Sequence, residues 1–266
     1  MARRICLVTG ASAGIGQAIA RVFAERGYDL ALSARREDRL KALAQELNDT
    51  WGAQCHTIVA DLTDPNAPQR IVQWLYTDGH HVDALVNNAG YGLQGGYLAS
   101  SWREHAAFMQ VMVTAPLELI HLLLPAMQAR GFGRIMNVAS LAGLLPGVQG
   151  ATLYGAAKAF LIKTSQALNL ENATTGVHVS ALCPGFTFTE FHDVNGMRDQ
   201  VSTLPNWLWQ DAKTVAQLGY EGLESNHAIV VSGTANKAIA GLSKLIPDTL
   251  ALSLMKTQLH KFRRSD

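Results

Sequence analysis

Tyr154 and Lys158 are the two residues whose types and spacing best suit proton transfer. They lie in the run Ala151-Thr152-Leu153-Tyr154-Gly155-Ala156-Ala157-Lys158-Ala159-Phe160. Alanine is the strongest helix former, and Leu153, Phe160 and Leu161 supply an apolar stripe, so the run reads as helix. Residues four apart lie on one helix face, one turn above each other, which lets a phenol and an ammonium share a site. A phenol titrates near ~10 in water, too high to exchange protons readily at neutral pH. A cation about 4 Å away, at an effective dielectric of about 20, favours tyrosinate by roughly 4 kcal/mol before desolvation is subtracted. Such a pair can do acid/base work. The spacing alone equally fits an ordinary helix surface, so the elements around it must discriminate.

Those elements alternate. Arg4 to Thr9 reads as a buried strand ending at Gly10, and Gly14 to Glu25 as a helix stopped by Gly27. Strands are expected at Tyr28 to Ala34, Gln54 to Ala60, Val82 to Val86, Gly133 to Ala139, Val177 to Leu182 and His227 to Val231. Helices are expected at Glu37 to Asp49, Pro65 to Tyr76 and Ala212 to Leu223, with Tyr154 on a helix from Thr152 to Ala173. One long helix is expected over Trp102 to Arg130, bent by Pro116 and Pro125. Crossovers of this length imply a Rossmann-type α/β fold, a doubly wound parallel sheet in three layers, α/β/α. Without internal repeats or a Pro/Gly/Ser-rich linker, residues 1–266 read as a single domain. Within it lie a substrate-loop region at about 186–212 and an amphipathic, mostly helical segment at about 235–262.

Composition narrows the function. Hydrophobic residues make up 48% and charged ones 16%, the balance of a globular chain. A net charge of +1 gives no reason to expect nucleic acid. Cys6, Cys55 and Cys183 are scattered, without metal-ligand spacing or a disulfide framework; each is expected as a small buried residue in a strand, and no metal is expected. There is no signal-peptide pattern, and no uninterrupted apolar run reaches the ~18 residues of a membrane span, so a cytoplasmic location is expected.

The first strand–helix turn, Thr9-Gly10-Ala11-Ser12-Ala13-Gly14-Ile15-Gly16, has the context of a dinucleotide fingerprint. Its glycines let backbone approach phosphates, and free N–H groups at a helix start favour an anion. The end of the second strand carries Ala34, where an NAD site typically has an acid, followed by Arg35 and Arg36. Two arginines can meet a 2′-phosphate with charge-assisted hydrogen bonds, which favours NADP(H) over NAD(H), with Arg35 the better candidate. The alternative is that both are solvated loop residues.

With its Thr-Gly-x-x-x-Gly-x-Gly turn the chain strongly resembles the short-chain dehydrogenase/reductase family. The resemblance extends to Asp61, to Asn87-Asn88-Ala89-Gly90, to Asn137-Val138-Ala139-Ser140, to Tyr154-x-x-x-Lys158 and to Pro184-Gly185-Phe186-Thr187-Phe188-Thr189. These motifs keep the family's order from about Arg4 to Thr189. The resemblance implies a cofactor site made from Gly10, Ser12, Gly14, Ile15, Gly16, Asp61, Leu62, Asn88, Ala89, Gly90, Pro184, Gly185, Thr187 and Thr189, with Tyr154 and Lys158. In it Asp61 and Leu62 would border the adenine, Asn88 and Ala89 the ribose side, and Thr189 the nicotinamide amide. Ser140 would polarise a substrate carbonyl, Tyr154 would act as acid/base, and Lys158 would bind the nicotinamide ribose and lower the tyrosine pKa. The interval from Ser140 to Tyr154 is a residue longer than in most relatives, which the Gly143 to Gly150 loop would absorb.

One position departs from the pattern. Met112 stands where relatives carry an Asn that helps hold a proton-relay water behind the lysine. A thioether is a poor acceptor and no donor. This keeps a second reading open, an NADP(H)-binding sensor or regulatory protein with little turnover, beside an oxidoreductase acting on a carbonyl/alcohol pair. Phe186, Phe188, Phe191, Leu204, Trp207 and Trp209 suggest an apolar substrate pocket or lid, with Phe186, Phe191 and Trp207 beside Ser140 and the other wall from Gly92, Leu93 and Leu145 to Val148. Each aromatic equally suits packing of the segment onto the core. The apolar face after Ala238 is expected to pack on protein in preference to a membrane surface. A homodimer or homotetramer is implied by the resemblance.

Overall fold

A computed structural model describes residues 3–93, 95–190, 205–247, 249–250 and 252. Phe191, Leu204 and the C-terminal stretch from 253 onward lie outside the described residues. The elements, in chain order, are β1 (Ile5–Thr9), α1 (Gly14–Glu25), β2 (Asp29–Ala34), α2 (Glu37–Trp51), β3 (Cys55–Val59), α3 (Ala67–Thr77) and β4 (Val82–Asn87). Then follow α4 (Trp102–Met109), α5 (Ala115–Ala129), β5 (Gly133–Val138), α6 (Thr152–Glu171) and β6 (Val177–Cys183). The chain continues through β7 (Phe186–Phe188), β8 (Trp209–Asp211), α7 (Ala212–Glu224), β9 (Ile229–Val231) and α8 (Thr234–Ser243).

Seven strands form one sheet in the order β3-β2-β1-β4-β5-β6-β9, every pair parallel. Parallel strands buried on both faces read as near-continuous apolar runs, as Ile5-Cys6-Leu7-Val8 does. One face is covered by α1, α2 and α7 through Ile19, Phe23, Leu40, Leu43, Val215 and Leu223. The other is covered by α3 and α5 through Ile71, Leu75, Leu119 and Leu123, and α6 adds Leu161 and Ile162 over the β6 end. The expected three-layer doubly wound fold is the one observed. After β3 the chain crosses over β2 and β1 to build β4, which creates a topological switch between β1 and β4. In open α/β sheets ligands bind outside the carboxyl ends of the strands at that point. There lie the Gly10 turn and the Asn87–Gly90 segment.

Four details differ from the expectations. The expected long helix runs without a break from Trp102 to Ala129, but a π-helical turn over Gln110–Thr114 lies within it, between α4 and α5. Pro116 lies in the first turn of α5, directly after the π-helical turn, and has no N–H to give to the carbonyls of that turn; Pro125 is the proline inside α5. Together Trp102–Ala129 are 28 residues, long and apolar enough to cross a membrane by length and composition; half of their most apolar window is buried in this fold. Cys6 and Cys183 are buried, whereas Cys55 is half-buried, since β3 is the sheet edge. The chain after Val231 turns at Gly233 (φ +82°) into α8, which begins earlier than expected and ends at Ser243. Finally, β7 and β8 form a two-stranded parallel sheet pairing Phe186 with Trp209 and Phe188 with Asp211.

Candidate active site

Three functional side chains converge at the carboxyl end of β5. Ser140 follows that strand and caps a 3₁₀ turn over Leu141–Leu144, its Oγ accepting the Ala142 N–H at 3.1 Å. The turn is tied to β6 by Leu141 N–H to the Pro184 carbonyl, 2.8 Å. It also lies flat on α6, because Gly143 has no side chain: a Cβ there would stand 2.6 Å from the Ala159 nitrogen and the Lys158 carbonyl carbon. These two contacts bring Ser140 to Tyr154, and their side chains share a hydrogen bond.

Tyr154 is partly covered as a residue, but its phenol is enclosed, and burial pushes its pKa up to about 12 while the bond with Ser140 pulls the other way. Lys158 is 5% exposed. Its Nζ donates to the Val138 carbonyl at 2.6 Å and stands 5.8 Å from the centre of the Tyr154 ring. Burial lowers the lysine to about 8, and the nearby Cys183 opposes that shift. Tyr154 and Lys158 thus share one face of α6, as the four-residue spacing expects. The ammonium is anchored on β5, and the direct partner of the phenol is Ser140.

Behind this group runs a buried polar chain. Asn87 donates to the Asn137 side-chain oxygen at 2.9 Å and to the Pro116 carbonyl at 3.2 Å; Asn137 donates to Ser165 Oγ at 2.9 Å. It binds the ends of β4 and β5 to the first turn of α5 and to α6. Met112 is 1% exposed and packs with Phe108, Ala157, Tyr91 and Tyr154. Its sulfur presses on Gly90, where a Cβ would meet it at 2.8 Å. The site is thus backed by an apolar plug on the π-helical turn.

The glycine-rich turn adopts a tight conformation that only glycine permits. Gly10 and Gly14 have φ of +66° and +57°, and a Cβ at Gly16 would collide with the Asn88 amide and the Gly10 carbonyl. Thr9 Oγ1 accepts the Asn88 and Ala89 N–H groups at 3.0 and 3.2 Å, and the Asn88 amide donates to the Thr9 carbonyl at 2.9 Å. Asn88 therefore shapes the turn directly. Thr189 packs beside Gly14, while Pro184 and Thr187 are buried and Gly185 is half-buried. Ser12 is buried; Ile15 is half-buried at the start of α1. Asp61 is exposed, its carboxylate accepting from Thr63 N–H at 3.0 Å, and Leu62 is buried.

The two arginines part company. Arg36 donates to Ser12 Oγ from Nε and Nη2 at 3.3 and 3.2 Å. Arg35 is exposed, and its charge acts on the Tyr91 phenol, as does that of Asp61. Arg36 also meets Glu190 at 3.1 Å, and Arg39, one helical turn on, meets the same carboxylate at 2.7 and 2.9 Å. Those bonds hold the Glu190 carboxyl below the usual carboxylate range.

On the substrate side, Phe188 stacks on Trp209 at 4.7 Å and Phe186 lies 5.6 Å from the same indole. These aromatics clamp the two ends of the 186–212 segment together. Trp207 is 67% exposed and is not brought to Tyr154. A cavity of about 20 Å³ adjoins Tyr154, lined by Leu93, Tyr97, Phe108 and Leu153 among others. Leu93 was anticipated there.

Several contributors escape sequence reasoning. Asn236, buried on α8, lies against Gly185, where a Cβ would come within 2.4 Å of its amide, and Ser232 meets Gln210 at 2.6 Å beside it. Tyr97 stacks on His105 at 4.5 Å. No local pattern announces these long-range contacts. Arg39 could have been found, since it follows Arg36 at the i, i+3 spacing that shares a helix face.

Comparison with known proteins bears on the family and the fold. Residues 4–198 match the family model described as short chain dehydrogenase. Sulfoacetaldehyde reductase 2 of Chromohalobacter salexigens is 37% identical over 225 residues, 80% of this chain and 86% of that protein. A short-chain dehydrogenase from Sphingobium yanoikuyae, solved in complex with NADPH, superposes with a TM-score of 0.80 at 32% identity, covering 92% of this chain and 96% of that one. The bulky-bulky ketone specific alcohol dehydrogenase from Comamonas testosteroni superposes with a TM-score of 0.75 at 29% identity, covering 92% and 95%.

Proposed function

This chain belongs to the short-chain dehydrogenase family, and we propose that it is an NADP(H)-dependent reductase of a small, hydrophobic carbonyl compound, with Tyr154 as the proton donor. The observation that carries the reading is the hydrogen bond between Tyr154 and Ser140 at the end of β5.

Bound at the glycine-rich turn, the cofactor supplies the hydride. The chain's own residues manage the charge that develops on the carbonyl oxygen. Ser140, fixed by the 3₁₀ turn, turns its hydroxyl to that oxygen, and Tyr154 releases its proton to it. A phenol pushed up to about 12 is protonated at neutral pH and has a proton to give. Lys158 holds a positive charge near the tyrosinate left behind and so favours its formation. Gly10, Gly14 and Gly16 admit the phosphates, and Arg36 with Ser12 offers the charge and hydroxyl that a 2′-phosphate needs. Structural relatives that carry NADPH support the same cofactor choice.

The sensor reading is not favoured. Ser140, Tyr154 and Lys158 are all retained and assembled, and the named relatives are reductases and dehydrogenases. Leu93, Phe108 and Leu153 beside Tyr154 favour an apolar substrate. Exposed Leu98, Trp102, Phe160 and Leu170 on and beside α4 and α6 support assembly into a homo-oligomer, which light scattering tests. NADPH oxidation against a panel of apolar ketones and aldehydes, with Tyr154→Phe as control, tests the activity.

A further inference from the structure

Arg36, assigned above to the cofactor's phosphate, and its neighbour Arg39 are already engaged by an anion that belongs to the protein. Glu190 accepts from Arg36 Nη1 at 3.1 Å and from Arg39 Nη1 at 2.7 and 2.9 Å. Its position is set by the chain before it, since Thr189 lies against Gly14 and Phe188 stacks on Trp209. The carboxylate thus stands at the rim of a cleft of about 720 Å³ bounded by Ser12, Gly14, Arg39 and Lys213. A guanidinium recognises a carboxylate and a phosphate with the same donors, so the two compete for one place.

We propose that Glu190 is an intramolecular competitor for the 2′-phosphate, bonded to Arg36 and Arg39 until a 2′-phosphorylated nucleotide displaces it. Its function is to set selectivity. A phosphomonoester carries about −1.5 to −2 charge at neutral pH against one unit for the carboxylate, so the nucleotide displaces Glu190, at a loss of affinity. A nucleotide with a free 2′-hydroxyl leaves the Glu190 bonds in place and loses nothing. The side chains of Glu190, Arg36 and Arg39 are each more than two-fifths exposed, 46%, 43% and 42%. Pairs this exposed are weak, which makes the carboxylate a releasable occupant and not a permanent block. The inference rests on the NADP(H) reading given above.

Equilibrium titrations of the full chain with NADPH, NADH, 2′-AMP and 5′-AMP, followed by calorimetry, test it. Glu190→Gln should tighten NADPH and 2′-AMP by about three- to tenfold and move NADH and 5′-AMP by less than about twofold. Glu190→Asp, which keeps the charge, should stay nearer wild type. In an Arg39→Gln background the gain from Glu190→Gln should shrink, because the competitor has lost its strongest bond. Unchanged or weaker NADPH binding in Glu190→Gln overturns the proposal, as does an equal gain for NADH. If wild type and Glu190→Gln both bind NADH as tightly as NADPH, the cofactor reading itself fails and takes this inference with it.

Discussion

Lys158 Nζ donates to the Val138 carbonyl oxygen at 2.6 Å, so the cation of the site is held by the strand that also delivers Ser140. The two residues proposed to act on a carbonyl oxygen, Ser140 and Tyr154, are joined to each other, and Lys158 is anchored on the main chain of β5. This division follows from the fold: β5 ends beside the second turn of α6, and Gly143 lets the intervening loop lie flat on that helix.

The burial of Lys158 has a consequence for stability. Its pKa is lowered from 10.5 in the unfolded chain to about 8, so between those values the unfolded state binds more protons than the folded state. Stability therefore rises with pH from about 8 to about 10.5 through this group, by a few kcal/mol at ~1.4 per unit. Tyr154, raised from 10.0 to about 12, acts in the opposite sense, and its contribution is lost as pH climbs from about 10 to about 12. Lys158→Met should lack the first rise, so the difference in unfolding free energy between variant and wild type shifts in favour of wild type from pH 8 to pH 10. Urea denaturation at those two values measures it.

Gly143→Ala should harm both fold and function. The new Cβ would meet backbone atoms of α6 at 2.6 Å, and backbone cannot rotate away as a side chain can. A loss of about 1–3 kcal/mol in unfolding free energy is expected, together with reduced turnover as Ser140 moves off Tyr154. Gly147→Ala, which meets nothing within 4 Å, should be close to neutral in both and serves as the control.

How much of this was legible without coordinates depended on whether the signal was local. The apolar strand runs, Gly27 and the glycine turn are local statements about backbone, and they located the strands and the first crossover, whereas the strand order and its switch point came from the structure. The Tyr154–Lys158 spacing correctly put both on α6, but the Val138 carbonyl that anchors Lys158 comes from a different strand and gives no local signal. The π-helical turn at Gln110–Thr114 carries no local cue beyond the nearby Pro116. Three-residue strands such as β7 and β8 are too short for any period to show. Glu190 lies in the 186–212 segment with no motif of its own; only tertiary structure sets it against α2.

Met112 gives a prediction with two readouts. The side chain is buried in an apolar cluster, so Met112→Asn brings an amide into it and should lower stability by about 1–3 kcal/mol. The same amide restores a hydrogen-bonding group behind Lys158, so the reduction rate at saturating substrate should be unchanged or higher. A thermal melt beside steady-state kinetics checks both. A severe loss of rate in a folded variant would mean that proton supply depends on the apolar plug itself.

The central claim is that Tyr154 donates the proton, and single-turnover reduction of an apolar ketone by NADPH, wild type against Tyr154→Phe, tests it most directly. The substitution removes one hydroxyl from a largely enclosed ring, so the Kd for NADPH should move by less than about twofold. The rate should fall by about 10²- to 10⁴-fold, the range for losing a positioned general acid. A Phe variant that binds NADPH and reduces the ketone within about tenfold of wild type would contradict the account.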